Sequence, residues 1–408
     1  MKITMIVPYF EPEVTAIVHL MSDLAYDFEK YNAKVTVITG FPLRGTSEDI
    51  INEYMNKNEE HISKNITVFR VGSKRKEGNN FIIRGLKYIT KTYSLYNKAK
   101  TIPTDIYYIY STPPIMGLAG AFLSKKAPTL YSLQDIFPDN IFVKAKIKEN
   151  NVVFKLLKAI ETYIYNNNTH IVTISNDMKN NLIGKKIDQR KISIIGNWID
   201  TNEIKYIPRE KNHLFDKFNL KRSGFYVSYS GNLGYAQDIE IILESAKITQ
   251  AVEPEIQYII VGSGIYEDEV KQKIISGNLR NVRLFPMQQE KYSSYVYSIG
   301  DVGLVTLKEN LHEYAMPSKT WSMMAASQPI ICTTVEKTQL YEIIKGTQSG
   351  ITVKPGNSTE LANQIVNLYR NRDALKEYGK NGRVYAEKNL SREIATKKYF
   401  DLMVDLIN

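Results

Sequence analysis

Ile3-Thr4-Met5-Ile6-Val7-Pro8, a helical spacing over residues 16–31, and Lys34-Val35-Thr36-Val37-Ile38-Thr39-Gly40 together decide the fold. Between the two apolar runs, Ile17, Leu20, Met21, Leu24 and Phe28 recur at steps of three and four, the period of one helix face. The flanking runs are short and rich in β-branched residues. A strand–helix–strand order of this kind is the βαβ unit of a parallel sheet. Strands buried on both faces of such a sheet read as continuous apolar runs, and these do.

The same alternation continues outward. Residues 105–110, 129–133, 171–175 and 192–195 read as strands, residues 114–123 and 152–165 as helices, and Ser175 with Asn176 as a helix cap. The pattern lapses between 197 and 208 and then restarts. Strands are expected at 225–230, 256–261, 282–285, 302–306, 329–332 and 350–353, with helices between them and three more over 358–370, 372–389 and 391–407. A chain of 408 residues exceeds one ordinary core. The expected fold is therefore α/β, with two Rossmann-like doubly wound domains at residues 1–200 and 201–385. Residues 386–408 are expected to form a C-terminal helix that packs back on the first domain. Ligands bind such sheets at the carboxyl ends of the strands, so a shared site is expected in a central cleft.

Composition excludes several classes. The one cysteine, Cys332, sits in the apolar run Pro329-Ile330-Ile331-Cys332, so no disulfide framework exists and the thiol reads as packed. The start Met1-Lys2 followed by a short strand lacks the layout of a signal peptide, and no run of 18 apolar residues is present. A cytoplasmic protein is expected. The five histidines (His19, His61, His170, His213, His312) show no paired spacing, so no metal site is expected. A Walker-type phosphate loop and a Gly-x-Ser-x-Gly elbow are both absent. The first strand-to-helix turn carries no glycine, which argues against a dinucleotide-dependent dehydrogenase.

The net charge of +10 is uneven: residues 1–200 hold 27 Lys and Arg against 19 Asp and Glu, leaving +8 there and +2 in the remainder. Ten basic residues and one acid, Glu77, lie between Lys64 and Lys100. Within that stretch, residues 81–100 mix aromatic and aliphatic side chains with Arg84, Lys87 and Lys91. A cationic amphipathic helix of this type suits an anionic membrane surface, although packing on its own domain is the plainer alternative. No nucleic-acid-binding motif accompanies it.

Four strand ends could carry chemistry. Ser230-Gly231-Asn232-Leu233-Gly234 and Val261-Gly262-Ser263-Gly264 are glycine turns between strand and helix, where backbone amides can approach phosphate or sugar. Met316-Pro317-Ser318-Lys319 reads as a helix start able to hold a diphosphate. Gln134-Asp135-Ile136-Phe137-Pro138-Asp139 places a carboxylate at a strand end, where Asp135 could orient an acceptor hydroxyl or take its proton. Each also has a plain reading as a turn or cap. Ser111-Thr112-Pro113-Pro114 reads as a structural turn, and Asn197 and Asp200 as hinge residues.

These residues resemble glycosyltransferase family 4, of the GT-B fold, and its branch of L-fucosamine transferases from bacterial O-antigen and capsule pathways. The likeness runs through Val7-Pro8-Tyr9-Phe10-Glu11-Pro12-Glu13, Thr39-Gly40-Phe41-Pro42, Ser111-Thr112-Pro113-Pro114 and Gln134-Asp135-Ile136-Phe137-Pro138. It continues through Tyr229-Ser230-Gly231-Asn232-Leu233-Gly234 with Gln237, Val261-Gly262-Ser263-Gly264 and Pro317-Ser318-Lys319. The resemblance implies a retaining transferase with no metal or other cofactor. Its donor would be a nucleotide diphosphate sugar, usually a UDP-sugar, held by the second domain; its acceptor would be a lipid-linked saccharide held by the first. It assigns donor binding to Gly231, Asn232, Gly234, Gln237, Gly262, Gly264, Glu313, Tyr314, Met316, Pro317, Ser318, Lys319 and Ser322. Glu13 and Thr15 would face the donor from the first domain, and Asp135 would be catalytic. Two positions depart from the family pattern. Its glutamate pair, eight residues apart, falls on Tyr314 and Ser322, with Glu313 one residue off register, and the early donor loop reads Glu13-Val14-Thr15-Ala16. A silent sugar-nucleotide-binding subunit and a nucleotide-sugar epimerase of similar shape are the alternatives.

Overall fold

The computed structural model describes residues 1–43, 45–74, 81–138, 152–308 and 316–408, with backbone only at residues 16 and 81–84. They form two compact units, Met1–Asn197 with Glu393–Asn408, and Trp198–Arg392.

In chain order the first unit contains β1 (Lys2–Ile6), α1 (Ala16–Lys30), β2 (Lys34–Thr39), α2 (Glu48–Tyr54), β3 (Glu59–His61), β4 (Ile66–Arg70) and α3 (Phe81–Ala99). It continues with β5 (Ile106–Tyr110), α4 (Met116–Leu123), β6 (Thr129–Leu133), α5 (Val152–Asn167), β7 (His170–Thr173), α6 (Asn176–Gly184) and β8 (Ile192–Ile194). The eight strands lie in the order β3-β4-β2-β1-β5-β6-β7-β8, parallel except for the edge pair β3–β4. α2, β3 and β4 are absent from the elements expected above. β4 alternates buried Ile66, Val68 and Arg70 with half-buried Thr67 and Phe69, so it lacks the continuous apolar signal of the central strands.

The second unit contains α7 (Leu214–Lys217), β9 (Phe225–Asn232), α8 (Ile239–Val252), β10 (Ile256–Ser263), α9 (Glu267–Ser276), β11 (Val282–Phe285), α10 (Ser293–Tyr297) and β12 (Val302–Val305). It ends with α11 (Lys319–Ala325), β13 (Ile330–Thr333), α12 (Gln339–Thr347), β14 (Gly350–Val353), α13 (Ser358–Arg370) and α14 (Asp373–Asn389), and the chain closes with α15 (Arg392–Ile407). The six strands run parallel in the order β11-β10-β9-β12-β13-β14. Phe225, Val227 and Tyr229 of β9 pack in one apolar cluster with Ile241 and Ile242 of α8. Strand order reverses direction beside β1 and beside β9, and the loops at those carboxyl ends are where such sheets open to ligands.

Adjacent strand residues face opposite sides of a sheet. In the first unit, Tyr108 meets Tyr399 of α15 edge-on at 5.8 Å between ring centroids, while the neighbouring Tyr107 feels Tyr96 of α3. α15 and α3 therefore cover opposite faces. α15 is fastened by the Tyr399 hydroxyl at 3.2 Å from Ser132 Oγ, by Thr396 Oγ1 donating to Asp27 Oδ2 at 3.1 Å, and by Phe400 against Tyr31 at 4.9 Å. All of these anchors are buried or intramolecular to the first unit, so the last helix completes a core that the first 197 residues leave open on that side. Tyr399→Ala is expected to cost about 3–5 kcal/mol in denaturant unfolding of the full chain, and Tyr399→Phe about 1 kcal/mol. Equal losses from the two variants would mean that the ring is not what α15 contributes.

Candidate functional site

The carboxyl end of β9 gathers most of the residues singled out in the second unit. β9 runs through Gly231 and Asn232, and β10 through Ser263, so both glycines of the first turn pair belong to strand ends. Gly231 and Gly262 stand opposite each other in the parallel register. A Cβ on Gly262 would fall 2.2 Å from the Gly231 carbonyl oxygen, a distance no side chain tolerates. Gly231 itself has φ +138°, a backbone that L side chains rarely adopt. Beyond it, Leu233 N–H donates to Ser263 O at 2.9 Å, and Tyr266 N–H to Leu233 O at 3.1 Å. Gly234 and Gly264 are thereby held beside the same turn.

Into this turn comes Lys319, the first residue of α11. Its ammonium sits 3.8 Å from the centroid of the Tyr229 ring and donates to Gln237 Oε1 at 3.1 Å. A Cβ built on Gly231 would lie 3.0 Å from that Nζ. The Tyr229 hydroxyl in turn donates to Asn232 O at 2.8 Å and lies 3.3 Å from the same Gln237 oxygen. No carboxylate pairs with Lys319 among the described residues. Burial pushes its ammonium down to about 7. The ammonium is thus held by a ring face and one amide oxygen, and among the described residues no carboxylate compensates its charge. An anion placed against the Gly231 backbone would supply the missing charge.

Other expected donor residues fall as follows. Pro317 lies two residues before α11. Ser318 is the residue preceding the helix and is exposed, with a helical backbone and no side-chain cap. The expected helix start at Pro317 is therefore two residues early. Two amides of that first turn are already used, Thr320 N–H on Pro317 O at 3.1 Å and Trp321 N–H on Ser318 O at 3.0 Å. What α11 contributes at this place is the Lys319 side chain more than a row of free amides. Met316 packs on the apolar cluster around Trp321. Ser322 and Ser230 both lie at the Tyr297 phenol, which burial raises above its ordinary range. Glu313 and Tyr314 lie outside the described residues, as does Asp139. A cavity of about 370 Å³ lies beside Gln237, lined by Asp238, Tyr266, Glu269 and Lys308.

In the first unit, Asp135 is exposed just past β6, and its charge, after burial, helps raise the Tyr110 phenol at the end of β5. Gln134 is fully engaged: its N–H donates to Ser111 Oγ at 2.9 Å, and its Oε1 accepts from Asn197 Nδ2 at 2.9 Å. Asp200 accepts from the Asn202 and Glu203 amides, a turn role. Glu13 is buried, and its Oε1 accepts from Leu43 N–H at 3.1 Å. Arg70 Nη2 holds the same loop by donating to Glu11 O at 2.5 Å and to Glu60 Oε2 at 3.1 Å. Thr15 precedes α1, and its buried Oγ1 finds no hydrogen-bond partner among the described residues and caps nothing.

One expectation is corrected outright. Lys91 was assigned to a membrane surface, but its Nζ donates to Pro8 O at 2.8 Å and lies 4.7 Å from the Tyr9 ring centroid. Its long stem lets the charge reach the carboxyl end of β1 instead of solvent. Lys87 is half-buried on the same helix, and the Arg84 side chain lies outside the described residues. Sequence reasoning also missed Tyr229 and Tyr297 as site residues. The first had a signal: residues 229 and 231 share a strand face at the period of two. Tyr297 comes from a distant helix and had none.

With this geometry in place, known proteins of similar sequence and fold point to a class. Residues 21–203 match the family described as Glycosyltransferase Family 4, and residues 210–385 match Glycosyl transferases group 1. Each half of the chain thus matches a glycosyltransferase model. A probable glycosyltransferase, WbjE of Pseudomonas aeruginosa, is 26% identical over 267 residues, 65% of this chain and 66% of its own length. A putative colanic acid biosynthesis glycosyl transferase, WcaI of Escherichia coli, is 26% identical over 250 residues, 61% of this chain and 60% of its own. The chain thus spans somewhat less than two thirds of these relatives.

Among solved structures, a sucrose-phosphate synthase from Thermosynechococcus elongatus superposes with a TM-score of 0.76 at 14% identity, covering 99% of this chain and 98% of that one. HepE of Anabaena in complex with UDP gives 0.72 at 15% identity, with 99% and 100% covered. At such identities the likeness is one of fold, and the fold is GT-B, two Rossmann-like α/β domains.

The Lys319 titration gives a signed prediction. The ordinary value is 10.5 and the folded one about 7, so the unfolded chain binds more protons between those limits, and stability rises with pH across that window. Lys319→Met is expected to flatten this rise. A bound polyphosphate raises the ammonium again, so binding at pH about 8 is expected to take up a fraction of a proton. Calorimetry in buffers of different ionisation heat reads that number, and no uptake would remove Lys319 from the anion site.

Proposed function

We propose that the chain is a retaining glycosyltransferase. It moves a sugar, N-acetyl-L-fucosamine or another N-acetylated hexose, from a UDP-sugar to a lipid-linked saccharide in bacterial capsule, O-antigen or exopolysaccharide synthesis. It works in the cytoplasm, peripherally on the inner face of the cell membrane. The observation that carries this reading is the Lys319 ammonium, without a carboxylate partner among the described residues, against the Gly231 backbone at the end of β9. The family matches of both halves support it, as do the named roles of relatives in colanic acid and capsular polysaccharide biosynthesis. UDP bound to HepE supports the choice of nucleotide.

In this reading the donor diphosphate lies at Gly231, whose missing side chain leaves room beside the Lys319 ammonium, while Gly262 lets β10 close against it. Negative charge grows on that diphosphate as the glycosidic bond breaks, and Lys319 stabilises it more in the transition state than in the ground state. Gln237 and the Tyr229 ring keep the ammonium from wandering. Asp135, exposed at the end of β6, orients the acceptor hydroxyl in the first unit.

Ser322 favours a second reading. It stands where the family has a carboxylate and lies instead at the Tyr297 phenol, as a sugar-nucleotide-binding subunit without turnover would tolerate. A panel of UDP-, GDP- and dTDP-sugars, assayed for binding, hydrolysis and transfer, separates the possibilities. Transfer from a UDP-sugar is expected, with Lys319→Ala lowering kcat/KM by about 10²-fold or more. Binding without turnover across the panel would establish the silent subunit, and a product that stays on the nucleotide would point to an epimerase.

A further inference from the structure

The first unit exposes apolar side chains on three neighbouring helices of one sheet face. On α3, Leu86, Ile89 and Tyr93 are 59%, 50% and 64% exposed and share a face at i, i+3 and i+7. On α5, Leu156 and Tyr163 are 60% and 39% exposed, seven residues apart on one face. Phe122 of α4, 45% exposed, stands between them. Its ring lies 6.0 Å from Tyr96 of α3 and 6.1 Å from Tyr163 of α5, so the apolar strip is continuous from helix to helix. α4 and α5 are locked at close range: a Cβ on Gly117 would fall 2.4 Å from Ile164 Cγ2, and Asn168 Nδ2 donates to Gly117 O at 3.1 Å. The strip therefore belongs to a rigid surface. Monomeric soluble proteins seldom leave a contiguous strip of this kind uncovered.

Charge indicates what covers it. The three helices contain a single acid, Glu161, which is buried and paired with Lys158 at 2.8 Å and Lys185 at 2.6 Å. Lys155 on α5, Lys100 just past α3, and Lys125 and Lys126 just past α4 are exposed. A second copy docked by a two-fold axis would set this basic surface against itself. An anionic lipid surface complements both the apolar strip and the basic rim. No helix among the described residues is long and apolar enough to cross a membrane, so contact would be interfacial.

We propose that α3, α4 and α5 form one platform that lies in the interface of an anionic bilayer, with Leu156 and Tyr163 of α5 inserting beside α3. The proposal deepens, and rests on, the peripheral placement given under the proposed function. It also replaces Lys91, which turns inward, with the lysines of the α4 and α5 rim.

Full-length protein is sedimented with vesicles of equimolar phosphatidylcholine and phosphatidylglycerol, and with phosphatidylcholine alone. Leu156→Ser/Tyr163→Ser and, separately, Leu86→Ser/Tyr93→Ser are each expected to weaken partition into the anionic vesicles by about tenfold or more. Nucleotide binding by calorimetry is expected to stay unchanged in both, which controls for folding. Wild-type partition by the α5 variant would overturn the platform, as would a dimer in light scattering that these changes dissociate without altering lipid partition. Protein that binds vesicles through α5 yet transfers no sugar would uphold the platform and sink the functional reading alone.

Discussion

At the central strand end of the second unit, a lysine ammonium is held without a counter-charge among the described residues, and the local packing turns on it. Lys319 is kept in place by the Tyr229 ring and the Gln237 amide, and neither neutralises it. Desolvating a cation in this way is unfavourable, and the shift of its ammonium to about 7 expresses that. The arrangement persists because the surrounding sheet leaves no alternative: β9 and β10 approach so closely at Gly231 and Gly262 that only backbone fits there, and α11 starts at this edge. The same closeness leaves Gly231 able to meet an anion directly. In the proposed reading, a diphosphate placed there would supply the compensating charge that the described residues lack.

The first unit is organised differently. Its strand-end loops are tied to one another through side chains: Glu13 to Leu43, Arg70 to Glu11, Gln134 to Ser111 and Asn197, and Lys91 to Pro8. These polar groups near the carboxyl edge are thus engaged in shaping loops, and Asp135 is exposed beside them. On the face carrying α3, α4 and α5 the same unit shows its apolar strip, while α15 closes the opposite face. The division of labour between faces follows from the sheet itself, since alternate residues such as Tyr107 and Tyr108 must serve opposite sides.

Most of the fold was legible in the chain. The continuous apolar runs at residues 3–8, 34–39, 106–110 and 225–230 mark strands buried on both faces, and each became one. Where burial was one-sided the signal failed, as at β4, whose alternation buries Arg70 among apolar neighbours. The glycine turns at 231 and 262 and Lys319 were also legible, because a strand end, a missing side chain and a nearby basic residue are local facts. Tyr229 was within reach of the same reasoning. Tyr297 was not, since α10 meets β9 only after the chain has folded.

The sequence by itself determined the class of architecture, the two successive α/β sets and the places where backbone would be left bare, since these follow from local apolar period and from glycine. Only tertiary structure decided where charges point. Lys91, on a helix whose composition faces outward, reaches in to Pro8. Lys319 ends against a tyrosine ring, and Leu156 joins Leu86 on one surface through Phe122. The physical reason is that a long side chain can place its charge several ångströms from its own Cα. Its direction is therefore set by neighbours brought together from distant parts of the chain, which no local pattern records.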